Sequence, residues 1–284
     1  MIGPALAPAR PPRAQPWSLR VGVGLLLALT LLVTLYPILS PVDPTFESMA
    51  GLTPLGEPLG AGAEGYPLGT DPRGRDMLSR VIYAGGLTML TALSAVAIAT
   101  VAGVLVGLLA ANSRRFAGSV LMRLTDLGLA IPGLLLAAAI STILGRGTLS
   151  LVVGLAAVFW APIARVTYGQ AVVLREREYV EAARVQGAGS ATILARHILP
   201  HLLPVVGAYA ALSVGWAVLF ESALGFLGAG VQEPQASIGS MLGQHLVYYR
   251  SHPGLILFPA IFLALLVIAA NLVGESLRAR TEER

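Results

Sequence analysis

Apolar residues in this chain come in long blocks separated by polar segments. Six blocks stand out: Leu19–Leu39, Gly86–Ala111, Val120–Ile143, Leu149–Ile163, Leu203–Leu227 and Leu255–Val273. A helix rises about 1.5 Å per residue, so about 20 apolar residues cross a hydrocarbon layer of about 30 Å. The pattern predicts an all-α membrane protein with six transmembrane helices. The fourth block is the shortest and has Pro162 near its end, while Ile131-Pro132-Gly133 interrupts the third and a glycine-rich run, Gly225 to Gly230, closes the fifth. Packed membrane helices tolerate such residues, because neighbours satisfy the freed backbone groups and small side chains allow close approach. The first block exceeds the apolar core of about 7–15 residues in a signal peptide. Pro37 to Pro41 also lacks a small-x-small cleavage site, so the block reads as a retained anchor.

Composition agrees with a bilayer as solvent. Residues are 55% hydrophobic and 12% charged, against about 25% charged in a soluble domain. All 19 basic residues are arginine, and there is no lysine or cysteine. That removes a Walker A phosphate loop, a Schiff-base lysine, thiol nucleophiles, disulfides and cysteine metal ligands. With the N-terminus inside and six crossings, fourteen arginines fall on inner segments and five on outer ones: Arg73, Arg75, Arg80, Arg146 and Arg250. The positive-inside bias then puts both termini in the cytoplasm. Since topology accounts for the arginine clusters at span ends, no nucleic-acid partner is expected.

Three polar regions remain. Met1–Trp17 is a Pro/Ala/Arg-rich tail, Ser40–Gly85 is long and rich in Pro and Gly, and Thr167–Pro200 carries the densest charge. Within the last, Arg175 to Gly187 reads as one short helix of good helix formers ending at a capping glycine. Glu181 precedes Arg184 by three residues, the spacing of an intrahelical pair. A second short helix, Ser190 to Leu199, stops at Pro200. Two readings fit this loop: a solvated connector, or a smooth helical knob for another protein's groove.

Asp126 and Glu221 lie inside apolar blocks. Ionisable residues there usually face a wet cavity or a protein partner, so both are candidates for lining a pathway or meeting a partner subunit. The alternative is a packing carboxylate with a local partner, and Arg123 lies on the same face as Asp126. His197 and His201 have the i,i+4 spacing of metal ligands. Pro200 between them, and the missing general-base glutamate, argue against a metal site. No nucleophile elbow or paired-carboxylate site appears.

Glu181-Ala182-Ala183, Gly187 and Ile198-Leu199-Pro200 together resemble the cytoplasmic loop of binding-protein-dependent ABC importer permeases. Leu68 to Arg80, the set Arg123, Asp126 and Pro132, Glu221 to Gly228, and Asn271 to Gly274 resemble further blocks of the C-type permease of dipeptide, oligopeptide and nickel importers. The resemblance covers Arg20 to Arg278. It implies a tail at 1–17, a permease domain at 18–278 and a second tail at 279–284. Within the domain it places a first span at 18–40, an extracytoplasmic segment at 41–85 and a five-span core at 86–278, whose coupling loop is 167–200. It also implies a bacterial inner-membrane protein that is not an enzyme. Its implied partners are a second homologous permease, two ATPase subunits that bind ATP and Mg, and an extracytoplasmic solute-binding protein. Glu178, Tyr179, Glu181, Ala182, Ala183, Arg184 and Gly187 would form the ATPase-coupling helix. The implied cargo is di- or oligopeptide, with nickel-chelate, glutathione or another small solute as alternatives. The alternatives of a different class are a passive channel, which would not need an ATPase-docking loop, and a polytopic membrane enzyme, which should show a convergent polar constellation inside the spans. Gly86, Tyr168 and Ile238 depart from the residues common in that family, which are arginine, arginine and tryptophan.

Overall fold

The computed structural model describes residues 16–40, 42–113 and 115–282. Among these the chain is helical, without strands. The tail expected at 1–17 lies outside them except for Pro16 and Trp17, which open the first helix, α1 (Pro16–Leu39). Five helices are long and apolar enough to cross a membrane, and a bent pair supplies a sixth crossing if counted as one.

The longest pairing is between α2 (Met77–Asn112) and α5 (Thr148–Arg175). Gly103 and Gly107 lie one turn apart on the buried side of α2. A Cβ on either would come within 2.7 Å of a carbonyl oxygen of α5, from Trp160 and Ala164 respectively. Only glycine permits this backbone approach, the small-xxx-small packing that holds helices together in lipid. Around the bundle, α1 seats on α10 (Gly254–Glu282) through Gly22 and a Ser18–Ser276 hydroxyl pair at 2.9 Å.

The segments around Pro132, Pro162 and Pro200 depart from the reading given above. The third block is two helices, α3 (Arg115–Ala130) and α4 (Gly133–Ile143), which meet at 91°. Pro132 lacks an N–H and disfavours helical geometry at Ile131, so the chain turns there. The fourth block is a 28-residue helix rather than a short one, and Pro162 lies inside it. Its later residues, including Ala164, Thr167 and Ala171, are small or polar yet buried in the bundle, so apolar length alone underestimates the helix. The second short helix does not stop at Pro200. The three residues of α7 (Ser190–Thr192) pass through a π turn (Ile193–Ile198) into α8 (Leu199–Phe226). In the wider turn the Leu199 N–H reaches back to the Leu194 carbonyl. Pro200, in the first turn of α8, then has no interior N–H to lose.

The second span also begins earlier than Gly86. Asp76 caps α2 by accepting from the Ser79 N–H at 2.8 Å, adding polar turns before the apolar block. At 36 residues α2 is about 54 Å long, more than a hydrocarbon layer, so its first turns project beyond the layer. They meet a folded segment instead of a loose loop. The buried Thr70 hydroxyl donates to the Gly51 carbonyl at 2.5 Å and accepts from the Leu59 N–H at 2.8 Å, pinning three turns together. A short helix, α9 (Ile238–His245), lies across the end of α8 at this same end of the bundle. A Cβ on Gly243 would sit 2.6 Å from the Phe226 carbonyl.

The α2–α5 seam yields a test. Gly107→Leu overpacks it and lowers the thermal midpoint of the purified protein by about 5 °C. Gly24→Ala, where an added Cβ meets nothing within 4 Å, leaves the midpoint unchanged.

Candidate coupling site and buried charge network

At one end of the bundle α5 finishes at Arg175, whose guanidinium donates to the Ala111 carbonyl near the end of α2. Glu176 and Arg177 turn the chain, and α6 (Glu178–Val185) follows. The helix expected from Arg175 therefore starts at Glu178, because α5 claims the earlier residues. Acidic Glu178 and Glu181 occupy its first turn and Arg184 its last, the arrangement its dipole favours. The helix ends in a Schellman motif: the Ala188 N–H donates to the Ala183 carbonyl and the Gly187 N–H to that of Arg184, both at 3.0 Å. Gly187 has φ +85°, a conformation glycine adopts without strain.

Val180 and Ala183 are buried beneath α6, whereas Glu178, Glu181, Ala182, Arg184 and Gly187 are exposed. No ion pair forms within α6 among the described residues, so the Glu181–Arg184 spacing goes unused. Tyr179 leans sideways onto His201, ring on ring, with centroids 5.3 Å apart. The structure thus brings the coupling candidates together on one small helix and its glycine stop, seated at the end of the bundle by Val180 and Ala183 with its polar side outward.

Asp126 and Glu221 have different surroundings. Asp126 on α3 pairs with Arg165 of α5, both about half exposed, and not with Arg123. The bend at Pro132 lays α3 against α5, a relation that local spacing does not reveal. Glu221 is fully buried near the end of α8. The Ser222 hydroxyl donates to it at 3.4 Å, its other oxygen has no partner, and the Thr88 and Ser237 hydroxyls lie beside it. Thr88 accepts from the Ile238 N–H at 3.2 Å, so α2, α8 and the start of α9 converge on this carboxyl.

The sequence reading missed a charge network at the α9 end. Asp71, fully buried, accepts from Arg75 Nε at 2.6 Å and lies 3.3 Å from Arg80 Nε. Arg73 and Arg75 both reach Glu233 in the α8–α9 loop, at 2.6 and 3.5 Å, and Arg73 also reaches Glu47 at 3.1 Å. The network joins the folded segment before α2 to the α8–α9 loop across a gap of more than 150 residues. The i,i+4 spacing of Asp71 and Arg75 was a usable signal, but nothing in the sequence linked Glu233 to them. His245 closes the network on the α9 side, beside an open pocket of about 390 Å³ shared with Arg73, Arg75 and Glu233. Burial pushes its imidazole down to about 4, outweighing the pull of Asp71.

A bundle of apolar helices, one broken crossing and a short polar helix packed at one end define a polytopic membrane component; among the described residues no group of His, Asp and Glu could hold a metal ion. The family profile described as binding-protein-dependent transport system inner membrane component matches residues 103–284. A di/tripeptide transport system permease protein, DppC, of Pseudomonas aeruginosa (strain UCBPP-PA14) is 37% identical over 257 residues, covering 90% of this chain and 85% of that protein. A putative peptide permease protein of Brucella suis biovar 1 (strain 1330) is 34% identical, covering 93% of this chain and 86% of that one. A chain of the MetNI methionine ABC transporter, solved in an inward-facing form, shares the fold with TM-score 0.58 at 19% identity, over 72% of this chain and 97% of its own. This chain belongs to the binding-protein-dependent transport inner-membrane component family: it is a permease component of an ABC importer.

Two outcomes test the network. Asp71→Ala leaves the buried Arg80 without its carboxylate and Arg75 with only the longer pairs to Glu233 and Glu47, and destabilises the protein by about 3–5 kcal/mol, whereas Arg73→Ala, at an exposed pair, costs about 1 kcal/mol or less; thermal unfolding measures both. Unfolded His245 takes up its proton near 6.5 and the folded form only near 4, so proton uptake favours unfolding in that window. The thermal midpoint accordingly falls as pH drops from about 6.5 toward 4, and His245→Gln flattens that slope.

Proposed function

We propose that this chain is one of two permease subunits of an ATP-driven importer of di- or oligopeptides. α6 is its ATPase-docking helix. The observation that carries the reading is α6 itself: eight residues, anchored from below by Val180 and Ala183, stopped by a Schellman turn, with Glu181 and the small Ala182 facing outward. A short helix with a smooth outer face seats closely in a groove, and Glu181 offers a carboxylate to a basic group on the partner. Peptide as the cargo is supported by the names of the relatives, which are peptide permeases at 34–37% identity.

In this reading the α6 end is cytoplasmic, which agrees with the arginine bias, and both termini lie on that side. The segment before α2, with the α8–α9 loop, faces the delivering binding protein. ATP and Mg are held by two ATPase subunits, so hydrolysis takes place outside this chain. Closure of the ATPase pair drives the coupling helices together, and the two permeases rock between inward- and outward-open arrangements. ATP shifts that balance only because it binds the closed state more tightly.

Affinity purification of the tagged chain from native membranes tests the assembly. ATPase subunits and a second permease co-purify with the unmutated chain. Gly187→Val forces a β-branched residue to φ +85° and strains the turn by about 1–3 kcal/mol. It cuts ATPase recovery by about tenfold or more. Recovery without any ATPase subunit, or ATP-independent flux through this chain alone, overturns the proposal.

A further inference from the structure

We infer that Tyr179 is a positioning residue that carries movement of α6 into α8 through its stack on His201; the inference rests on the reading of α6 as the ATPase-docking helix. Val180 and Ala183 are buried beneath α6, and the Tyr179 ring adds a lateral contact. It lies over His201 with the planes inclined by 28°, and 6.5 Å from the His197 ring. His201 Nδ1 sits 2.8 Å from the His197 carbonyl oxygen, which orients the imidazole toward the turn beneath it.

The two histidines sit where the π turn passes into α8. His197 is within the π turn and His201 follows it in the first turn of α8. A π turn is a ready site for a register change, so a push applied only below it dissipates there. Tyr179 touches both residues and braces the turn from outside. Beside this contact lies a cavity of about 740 Å³ lined by Leu174, Glu176, Arg177, Glu178, Tyr179 and His201. Past His201 the helix is continuous to Phe226. There it meets α9 without slack: a Cβ on Gly225 would sit 2.9 Å from the Ser237 hydroxyl, and one on Gly243 2.6 Å from the Phe226 carbonyl. A displacement delivered at His201 therefore reaches the α8–α9 loop through packed atoms. This gives the histidine pair a role other than metal binding, and turns Tyr179 toward the bundle instead of toward the ATPase.

Because the chain has no cysteine, Ala236→Cys places its single thiol in the α8–α9 loop. The assembled complex is labelled with a maleimide, with and without ATP plus vanadate, and the rate is read on the band of this chain. ATP plus vanadate changes that rate by at least about fivefold when position 179 is Tyr or Phe. In Tyr179→Leu and His201→Leu the response is lost, while ATPase subunits still co-purify in full and the complex elutes as a single species. His201→Phe, which keeps a ring to stack on, retains the response. A wild-type response in Tyr179→Leu overturns the inference, as does loss of ATPase subunits from that variant, which makes Tyr179 a docking residue. Absence of ATPase subunits from the unmutated complex overturns the reading of α6 itself.

Discussion

The close seating of α2 on α5 governs where both polar ends of this protein stand. Lipid exerts no hydrophobic force between helices, so contact has to come from surfaces that fit at short range. Gly103 and Gly107 bring two backbones together over a long seam. At one end of the seam Arg175 is tied to the Ala111 carbonyl, and α6 begins after two residues, so α6 inherits its place from the pairing below it. At the other end α2 runs past its apolar block to Arg80, which lies 3.3 Å from the buried Asp71, the partner of Arg75.

Proline shows how far local rules carry. Pro132, Pro162 and Pro200 share one ring, one missing N–H and one dislike of a helical predecessor. Their outcomes differ with what surrounds them. At Pro132 nothing continues the helix in line, and Gly133 lets α4 turn in toward Val158 and Phe220. Pro162 lies inside α5, which is buried between neighbours and runs on. Pro200 is accommodated by opening the preceding turn, and that turn is where the Tyr179 ring leans.

The charged residues divide in a similar way. Those on α6 follow the helix dipole and stay in solvent, as their sequence pattern suggests. Asp71, Arg75 and Arg80 are instead buried at the start of α2: Asp71 accepts from Arg75 and lies 3.3 Å from Arg80, and Glu233 reaches Arg75 from a distant loop. A buried carboxylate in such a set orients more than it stabilises. Here it holds the segment before α2 against the α8–α9 loop.

Helical class, the number of crossings within one, the detached loop helix and its glycine stop were all readable from residue order. Each depends on properties carried by a few adjacent side chains: apolar run length, helix propensity, and the ability of Gly187 to take a positive φ. The partner of Asp126, the burial of Glu221, the network around Asp71 and the stack of Tyr179 on His201 were not readable. Each joins groups on different helices, and no local rule states which faces meet. Packing alone settles that, once small residues along α2 let one backbone lie against another and all remaining helices take their places around the pair.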